Sequence, residues 1–208
     1  MKVIVERTDL LKAMSRAQSI VERRTTIPIL SNVLIEAIGT KISLRTTDLD
    51  IEVVENVTAT IEKDGNTTVG AHTLHDIIRK LPEGASIQLS VDQVSSRLEV
   101  RAGRSRFSLA TLPREDFPIM ASSEYDSSFS IDPKVLNRLF EKSKFAMSTE
   151  ETRYYLNGVY FHTVKSDDKN ILKTVSTDGH RLAKNELEIS SSVDIQGIIM
   201  PRKFILQL

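Results

Sequence analysis

Three stretches of the chain place apolar residues three and four positions apart, the spacing of one buried helix face. The first stripe follows Asp9 and contains Leu10, Met14, Ala17 and Val21. The second follows Asp132 and Pro133, residue types that favour a helix start, and contains Val135, Leu136, Leu139 and Phe140. The pattern predicts amphipathic helices at residues 8–24, 73–81 and 133–145.

Apolar and polar residues alternate between these helices, which is typical of strands with one buried face. The alternating segments are residues 41–53, 86–91, 97–101, 105–112 and 170–187. Helices interspersed with runs of short strands predict an α+β fold in which helices pack on antiparallel sheets.

The chain resembles itself when it is shifted. A shift of 126 residues lays 5–14 over 131–140 and 27–37 over 153–163, so that Val33 meets Val159. Beyond a polar loop, a shift of 130 lays 42–53 over 172–183 and 71–78 over 201–208. The pattern predicts a repeated unit; two unrelated domains that share an element order remain the alternative.

The repeat suggests domain boundaries. Residues 1–120 form the first expected domain, 121–128 an expected linker rich in Ser and acidic residues, and 129–208 the second domain. Because Leu208 aligns with Ile78, in the middle of a predicted helix, we expect the second domain to be incomplete at its C-terminus.

Composition excludes several classes of protein. The chain of 208 residues has no Cys, so it has neither disulfides nor thiolate metal sites, and no apolar run approaches the length of a membrane span. We therefore expect a cytoplasmic protein without a membrane partner.

The neutral total charge conceals an uneven distribution. Lys plus Arg and Asp plus Glu each number 28, yet the predicted helical segments carry twelve cations and four anions. A basic helix layer suits a surface that meets a phosphate backbone. Solvated helix faces also often carry Lys and Arg, so the charge pattern alone leaves both interpretations open.

Several strings carry a resemblance to a known family. They are GRSRFSLATLPREDFP from Gly103, TRYYLNGVYF from Thr152, STDGHRLA from Ser176 and MPRK from Met200, with MKVIVERTDLLKAM and TIPILSNVLIEA near the start. In this order they resemble the beta subunit of bacterial DNA polymerase III, the replicative sliding clamp.

The resemblance implies a DNA-clamp fold of repeated domains whose helices face the DNA hole. Two chains of three domains each close into a ring around duplex DNA, so a chain without the third domain is expected to be a monomer or an adventitious dimer. The implied function is a non-catalytic processivity factor without cofactor or metal. The implied partners are duplex DNA, the polymerase III catalytic subunit, the clamp loader, other polymerases and mismatch-repair proteins.

The resemblance also assigns DNA contacts. It implies that Arg24, Tyr154 and Tyr155 bind DNA. A phenol stacks on bases or donates to phosphate, although a tyrosine at a strand start also commonly packs on a core. Glu150 departs from the neutral amide that is common in the family, and its charge should weaken a nearby phosphate contact.

Two further sites come from the resemblance. A cleft for short linear peptides is implied at Leu156, Thr177, Gly179, His180, Arg181 and Leu182. An edge strand for homodimer formation is implied at Arg104, Arg106, Phe107 and Leu109, with Phe107 in its own domain core as the alternative.

Two other function classes remain as alternatives. Asp178 and His180 suggest a small Asp/His-dependent hydrolase, but no metal-binding spacing, phosphate loop or nucleophile elbow accompanies them. A DNA-independent peptide-binding scaffold would use the cleft alone, and charge reversal at Arg24 would leave its function intact.

Overall fold

The computed structural model describes residues 1–22, 25–92, 96–120, 128–150, 152–166, 169–189 and 194–207. It divides into two compact units, unit 1 (Met1–Ala121) and unit 2 (Ser122–Leu208). Most of the expected linker, residues 121–127, lies outside the described residues.

The described part of unit 1 contains two α-helices and nine strands. They are β1 (Lys2–Glu6), α1 (Arg7–Ile20), β2 (Asn32–Ile38), β3 (Lys41–Thr47), β4 (Glu52–Thr58), β5 (Thr60–Lys63), β6 (Gly65–Gly70), α2 (Ala71–Lys80), β7 (Ser86–Asp92), β8 (Arg97–Ala102) and β9 (Ser105–Leu112). In the described residues the strands form one antiparallel sheet in the order β4-β3-β2-β6-β9-β8-β7-β1-β5.

Unit 2 is smaller. Its described elements are α3 (Pro133–Glu141), β10 (Gly158–Ser166), β11 (Lys169–Thr177), β12 (Leu182–Ile189), β13 (Ile198–Pro201) and α4 (Arg202–Ile205). The strands form an antiparallel sheet in the order β12-β11-β10-β13. The α+β class with helices packed on antiparallel sheets is therefore confirmed.

The order of strands confirms the repeat. β4-β3-β2-β6 in unit 1 corresponds to β12-β11-β10-β13 in unit 2, and in each unit a helix precedes the first of these strands in the chain and another follows the last. Val33 and Val159, which the shift aligned, are both fully buried. The similarity detected in the sequence is thus a duplicated helix-on-sheet arrangement.

The helix stripes pack as the periodicity predicts. In unit 1 the whole stripe is buried, namely Leu10, Met14, Ala17 and Val21. In unit 2 only half of the stripe is buried, namely Leu139 and Phe140, while Val135 and Leu136 are half-buried. The Asp132 carboxylate accepts from the backbone N–H of Lys134 at 2.7 Å, and Pro133 occupies the first turn, as expected.

The helix boundaries required correction. α1 begins at Arg7, so Asp9 lies in its first turn instead of capping it, and α1 ends at Ile20 instead of Arg24. α3 ends at Glu141, and a separate 3₁₀ turn at Lys144–Ala146 follows. Predicted segments 41–53 and 170–187 each contain two strands joined by a tight turn.

The two turns are built alike. In unit 1, Thr47 Oγ1 accepts from the Leu49 N–H at 3.0 Å, and Asp48 Oδ1 accepts from the N–H groups of Asp50 and Ile51. In unit 2, Thr177 and Asp178 make the same contacts one repeat later. The Thr-Asp string is therefore a turn motif in both copies.

Candidate functional site

The turn between β11 and β12 carries most of the predicted cleft residues. Thr177 Oγ1 donates to the carbonyl of Arg181 at 2.7 Å and accepts from the N–H of Gly179 at 3.1 Å. Gly179 has a φ of +92°, a backbone conformation that a side chain would strain. The turn thus holds its backbone in one shape and leaves His180 exposed at its tip.

Asp178 fixes this turn from within. Its Oδ1 accepts from the N–H groups of His180 and Arg181 at 3.0 Å each, and its Oδ2 accepts from Nε of Arg181 at 2.9 Å. The two backbone N–H groups, followed by the Arg181 guanidinium, lower the pKa of Asp178 from 3.8 to about 2. Both carboxylate oxygens are therefore engaged in holding the turn.

Arg181 lies over an aromatic ring that the sequence did not single out. Its guanidinium carbon lies 5.6 Å from the ring centroid of Phe145, which is 56% exposed. Leu182, the next residue, is 64% exposed. The only signal for Phe145 in the sequence was its place just after the helix stripe, where a core role was equally plausible.

The loop at residues 153–157 presents two tyrosines. Tyr154 is 77% exposed and Tyr155 is 55% exposed, and their rings meet edge to face with centroids 5.5 Å apart. The alternative of Tyr155 packed in a core is therefore wrong. Both rings are available to a ligand.

This loop lies beside the turn at Gly179. A Cβ added at Gly179 would lie 4.0 Å from Nη1 of Arg153. The Leu156 carbonyl accepts from the Ser148 N–H at 3.0 Å, and the Leu156 side chain is half-buried. The structure thus brings together the tyrosine loop and the turn that contains Gly179.

Glu150 has a partner. Its Oε2 lies 2.8 Å from Nε of Arg153, so part of its charge is balanced within the loop. Arg24, the third predicted DNA contact, and Arg23 beside it lie outside the described residues.

The predicted assembly edge lies on β9. Residues Arg97–Ala102 pair with one side of Ser105–Ala110, while β6 pairs with the other side only at Thr111 and Leu112. The outer edge of β9 from Ser105 to Ala110 is therefore open among the described strands.

Side chains along this edge are of two kinds. Phe107 is 37% exposed and borders a cavity of about 340 Å³ with Ile77, Lys80 and Leu81, whereas Leu109 packs against the core. On the other face of the strand, Arg106 and Arg101 both form ion pairs with Glu99. Their hydrogen bonds lower the pKa of the Glu99 carboxyl, and the bond from Arg106 has the larger effect. The family resemblance implies Arg106 and the exposed Arg104 at this edge, but it gives no signal for their neighbour Glu99.

The geometry around Asp178 does not favour the hydrolase alternative. Among the described residues, no group of three or more His, Asp or Glu side chains could hold a metal ion. Both carboxylate oxygens of Asp178 accept hydrogen bonds from the turn and from Arg181. The carboxylate is therefore unsuited to orient His180 as a general base. Within the same residues, no helix is long and apolar enough to cross a membrane.

Duplicated helix-on-sheet units, with an exposed aromatic and apolar surface on one of them, define an α+β protein built from a repeated domain. Residues 1–121 match the family model described as DNA polymerase III beta subunit, N-terminal domain, and residues 130–208 match the model for the central domain of that subunit. The chain belongs to the DNA polymerase III beta subunit family.

Individual relatives support this family assignment. A protein named beta sliding clamp from Caulobacter vibrioides is 50% identical over 206 residues, 99% of this chain and 55% of the relative. The beta sliding clamp of Escherichia coli K12 is 40% identical over 209 residues, all of this chain and 56% of the relative. The solved structure of Caulobacter crescentus pol III beta matches with a TM-score of 0.95 at 50% identity, covering 100% of this chain and 56% of that one. The chain therefore spans about half the length of the curated relatives it matches.

Proposed function

We propose that this chain is part of a sliding clamp that encloses duplex DNA and tethers a replicative polymerase to it. Such a function is topological and needs no catalytic group, because a weak electrostatic contact becomes persistent once dissociation requires the ring to open. The protein acts in the cytoplasm, without cofactor or metal.

The observation that carries this proposal is the charge of the duplicated helices. As the structure bounds them, the four described helices carry nine Lys or Arg residues and three Asp or Glu residues, in a chain with no net charge. Helices that face the DNA hole with this excess of positive charge attract the phosphate backbone without recognising a base sequence.

The proposed domain bounds follow the repeat. Domain 1 comprises residues 1–120, the linker comprises residues 121–128, and domain 2 begins at residue 129.

Two surfaces of unit 2 serve different ligands in this proposal. Tyr154 and Tyr155, with Arg24 of unit 1, contact DNA, and the exposed phenols suit a base or a phosphate. Leu156, with the turn residues Thr177, Gly179, His180, Arg181 and Leu182, forms the cleft for linear peptides. Peptides of the polymerase III catalytic subunit, the clamp loader, other polymerases and mismatch-repair proteins bind there.

The open edge of β9 is the proposed homodimer contact. Phe107 and Leu109 supply apolar area on the helix side of the strand, and Arg104 and Arg106 supply charge. An edge strand with unpaired backbone groups pairs readily with a strand of another chain.

A charge-reversal pair tests the DNA contact. We expect Arg24→Glu to weaken binding to a fluorescent duplex oligonucleotide. The negative slope of log affinity against log salt should become shallower by about 1, because one phosphate contact is lost. Lys41→Glu, an equal charge change at an exposed position on β3, is the matched control. Equal losses for the two variants, or none for Arg24→Glu, would argue against the proposed inner surface and favour a DNA-independent peptide scaffold.

A further inference from the structure

Residues 112–120 of unit 1 begin at the end of β9 and lie across the sheet face opposite the main core; we call them the strap. Successive side chains of a strand point to opposite faces. On β2, Val33 and Ile35 belong to the main core, so Leu34 points to the other face. Leu34 is nevertheless buried, in a separate cluster that includes Phe117 of the strap. The strap therefore covers this face of β2.

Phe117 is the apolar anchor of the strap. Its side chain is only 3% exposed. The cluster that buries it contains Ile29, Leu30 and Leu34. Its N–H donates to the Arg114 carbonyl at 3.0 Å, at the end of a short 3₁₀ turn. Pro113 and Pro118 restrict the backbone on either side of this turn, so the ring is held in place before it packs.

Hydrogen bonds hold both ends of the strap. At one end, Thr68 Oγ1 donates to the Leu112 carbonyl at 2.8 Å and accepts from the Leu112 N–H at 3.2 Å. At the other end, Glu52 Oε2 accepts from the N–H of Met120 at 3.4 Å. The strap is thus bound along its length to β2, β4 and β6.

The repeat places the proposed peptide cleft of unit 2 at the positions that the strap covers in unit 1. The shift of 126 residues aligns Leu30 with Leu156, and the shift of 130 residues aligns Glu52 with Leu182. Leu156 and Leu182 are both residues of that cleft. The strap therefore lies over the counterpart of the cleft in unit 1.

The two copies of this surface differ in exposure. Tyr155 and Tyr160 of unit 2 are exposed, whereas their counterparts Ile29 and Leu34 are buried. What stays open beside Leu30 is a cavity of about 70 Å³, smaller than the roughly 150 Å³ that admits a benzene ring. Unit 1 thus has the apolar residues of the site, and its own chain fills the space above them.

We propose that unit 1 contains a second, latent site for linear peptides with an aromatic anchor, and that the strap occupies this site with Phe117. A segment joined covalently to its site acts at an effective concentration on the order of millimolar, so a free peptide at micromolar concentration does not displace it. The chain then presents one open cleft, in unit 2, although both repeats have the site. This inference rests on the proposed function, because it assigns the counterpart of the proposed peptide cleft.

Nuclear magnetic resonance of the ¹⁵N-labelled chain tests the latent site, with a synthetic peptide of residues 110–120 as the probe. In the parent chain we expect micromolar peptide to leave the amide signals of Leu30 and Leu34 unchanged. In the variant Phe117→Ala the same peptide should shift both signals, because the anchor position is empty. A peptide that itself carries Phe117→Ala should bind this variant at least about tenfold more weakly, since the ring supplies most of the buried apolar area.

The matched control is another large-to-small change in unit 1. Leu89 is fully buried in the main core, away from the cluster of Phe117. Leu89→Ala should therefore loosen unit 1 without opening the latent site, and the peptide should leave Leu30 and Leu34 unchanged. Equal shifts in this control would mean that the peptide binds any loosened unit 1, and they would overturn the inference.

A second variant keeps the whole apolar cluster in place. Arg114 Nη2 donates to Glu36 Oε1 at 3.4 Å in the middle of the strap. Arg114→Glu sets two carboxylates against each other and should loosen the strap, so that the peptide shifts Leu30 and Leu34 at concentrations without effect on the parent. Lys63→Glu, an equal charge change at an exposed position outside the strap, should not have this effect.

The outcomes separate the latent site from the proposed function. If Leu30 and Leu34 stay unchanged in both strap variants, the strap only completes the core and the inference is wrong. Linear peptides that shift Leu156 and Gly179 would still support the cleft of unit 2 in that case. If Leu30 and Leu34 shift in the variants but no linear peptide shifts Leu156 and Gly179, the latent site stands and the proposed cleft fails.

Discussion

Asp178 shows how a single side chain determines the shape of a surface. Its two oxygens accept from two backbone N–H groups and from Nε of Arg181, and the guanidinium so positioned lies over the ring of Phe145. The Thr-Asp-Gly string suggested acid–base chemistry as an alternative, and its chemistry is instead that of a turn. The residue types alone could not decide this, because the engagement of both oxygens is visible only in three dimensions.

The low pKa of Asp178 predicts a pH-dependent stability. Because its folded-state pKa of about 2 lies below its usual 3.8, the carboxylate stabilises the fold above about pH 4, and this contribution is lost as the pH falls through about 2. We expect Asp178→Asn to be less stable than the parent chain in urea unfolding at pH 6. The difference should shrink as the pH falls from about 4 and vanish below about pH 2, and a difference that is constant with pH would contradict the assignment.

Leu182 tests the peptide cleft at the residue scale. We expect Leu182→Ser to weaken binding of a fluorescent linear peptide with apolar anchor side chains by about tenfold, since an apolar contact is worth about 1–3 kcal/mol. Ile38→Ser, at another strongly exposed apolar position, is the matched control for fluorescence anisotropy. A comparable loss in the control would show that the peptide binds apolar surface without selectivity.

At the scale of elements, two hydrogen bonds recur at positions that the repeat aligns. One joins the sheet of unit 1 to Ala17 within α1, and the other joins the sheet of unit 2 to Ser143, two residues past the end of α3. Thr46 Oγ1 on β3 donates to the Ala17 carbonyl at 2.9 Å, and Ser176 Oγ on β11 donates to the Ser143 carbonyl at 2.5 Å. All four groups are buried, so each bond satisfies polar atoms that would otherwise be costly. The helix periodicity predicted which faces pack, but the cross-element hydrogen bonds depend on the register between helix and sheet.

Gly158 tests the pairing of β10 with β13. A Cβ at this position would lie 2.5 Å from the Met200 carbonyl oxygen and 2.8 Å from Cγ2 of Ile199. We expect Gly158→Ala to destabilise unit 2 by about 1–3 kcal/mol, because the neighbouring backbone must move. Hydrogen exchange of the β13 amides measures the effect.

The matched control for this change is Gly70→Ala. Its added Cβ would meet its nearest atoms at 3.7 Å, which is ordinary contact. A loss in this control as large as in Gly158→Ala would indicate that the cost comes from losing glycine, not from the close approach of β13.

At the scale of the whole molecule, the zero net charge is the sum of basic helices and an acidic remainder of the chain. The described helices are basic, while several carboxylates on strands are held in ion pairs, such as Glu55 with Arg16 and Glu99 with Arg101 and Arg106. The expected acidic remainder is therefore partly neutralised by local partners. Charge counting over the sequence found the asymmetry but could not say which cations remain free.

The sequence by itself determined the helix stripes, most strands, the duplication and the family, because apolar periodicity and local strings follow from the chemistry of neighbouring residues. Its motifs assigned Thr177–Leu182 to one expected site but gave no signal for Phe145. The Phe145 ring lies under the Arg181 guanidinium although the two residues are 36 positions apart in the chain. Only the tertiary structure decided that Arg16 is paired with Glu55, whereas Lys142 has no ion-pair partner among the described residues. Whether a charge is neutralised depends on atoms within a few ångströms, and folding brings those atoms from distant positions in the chain.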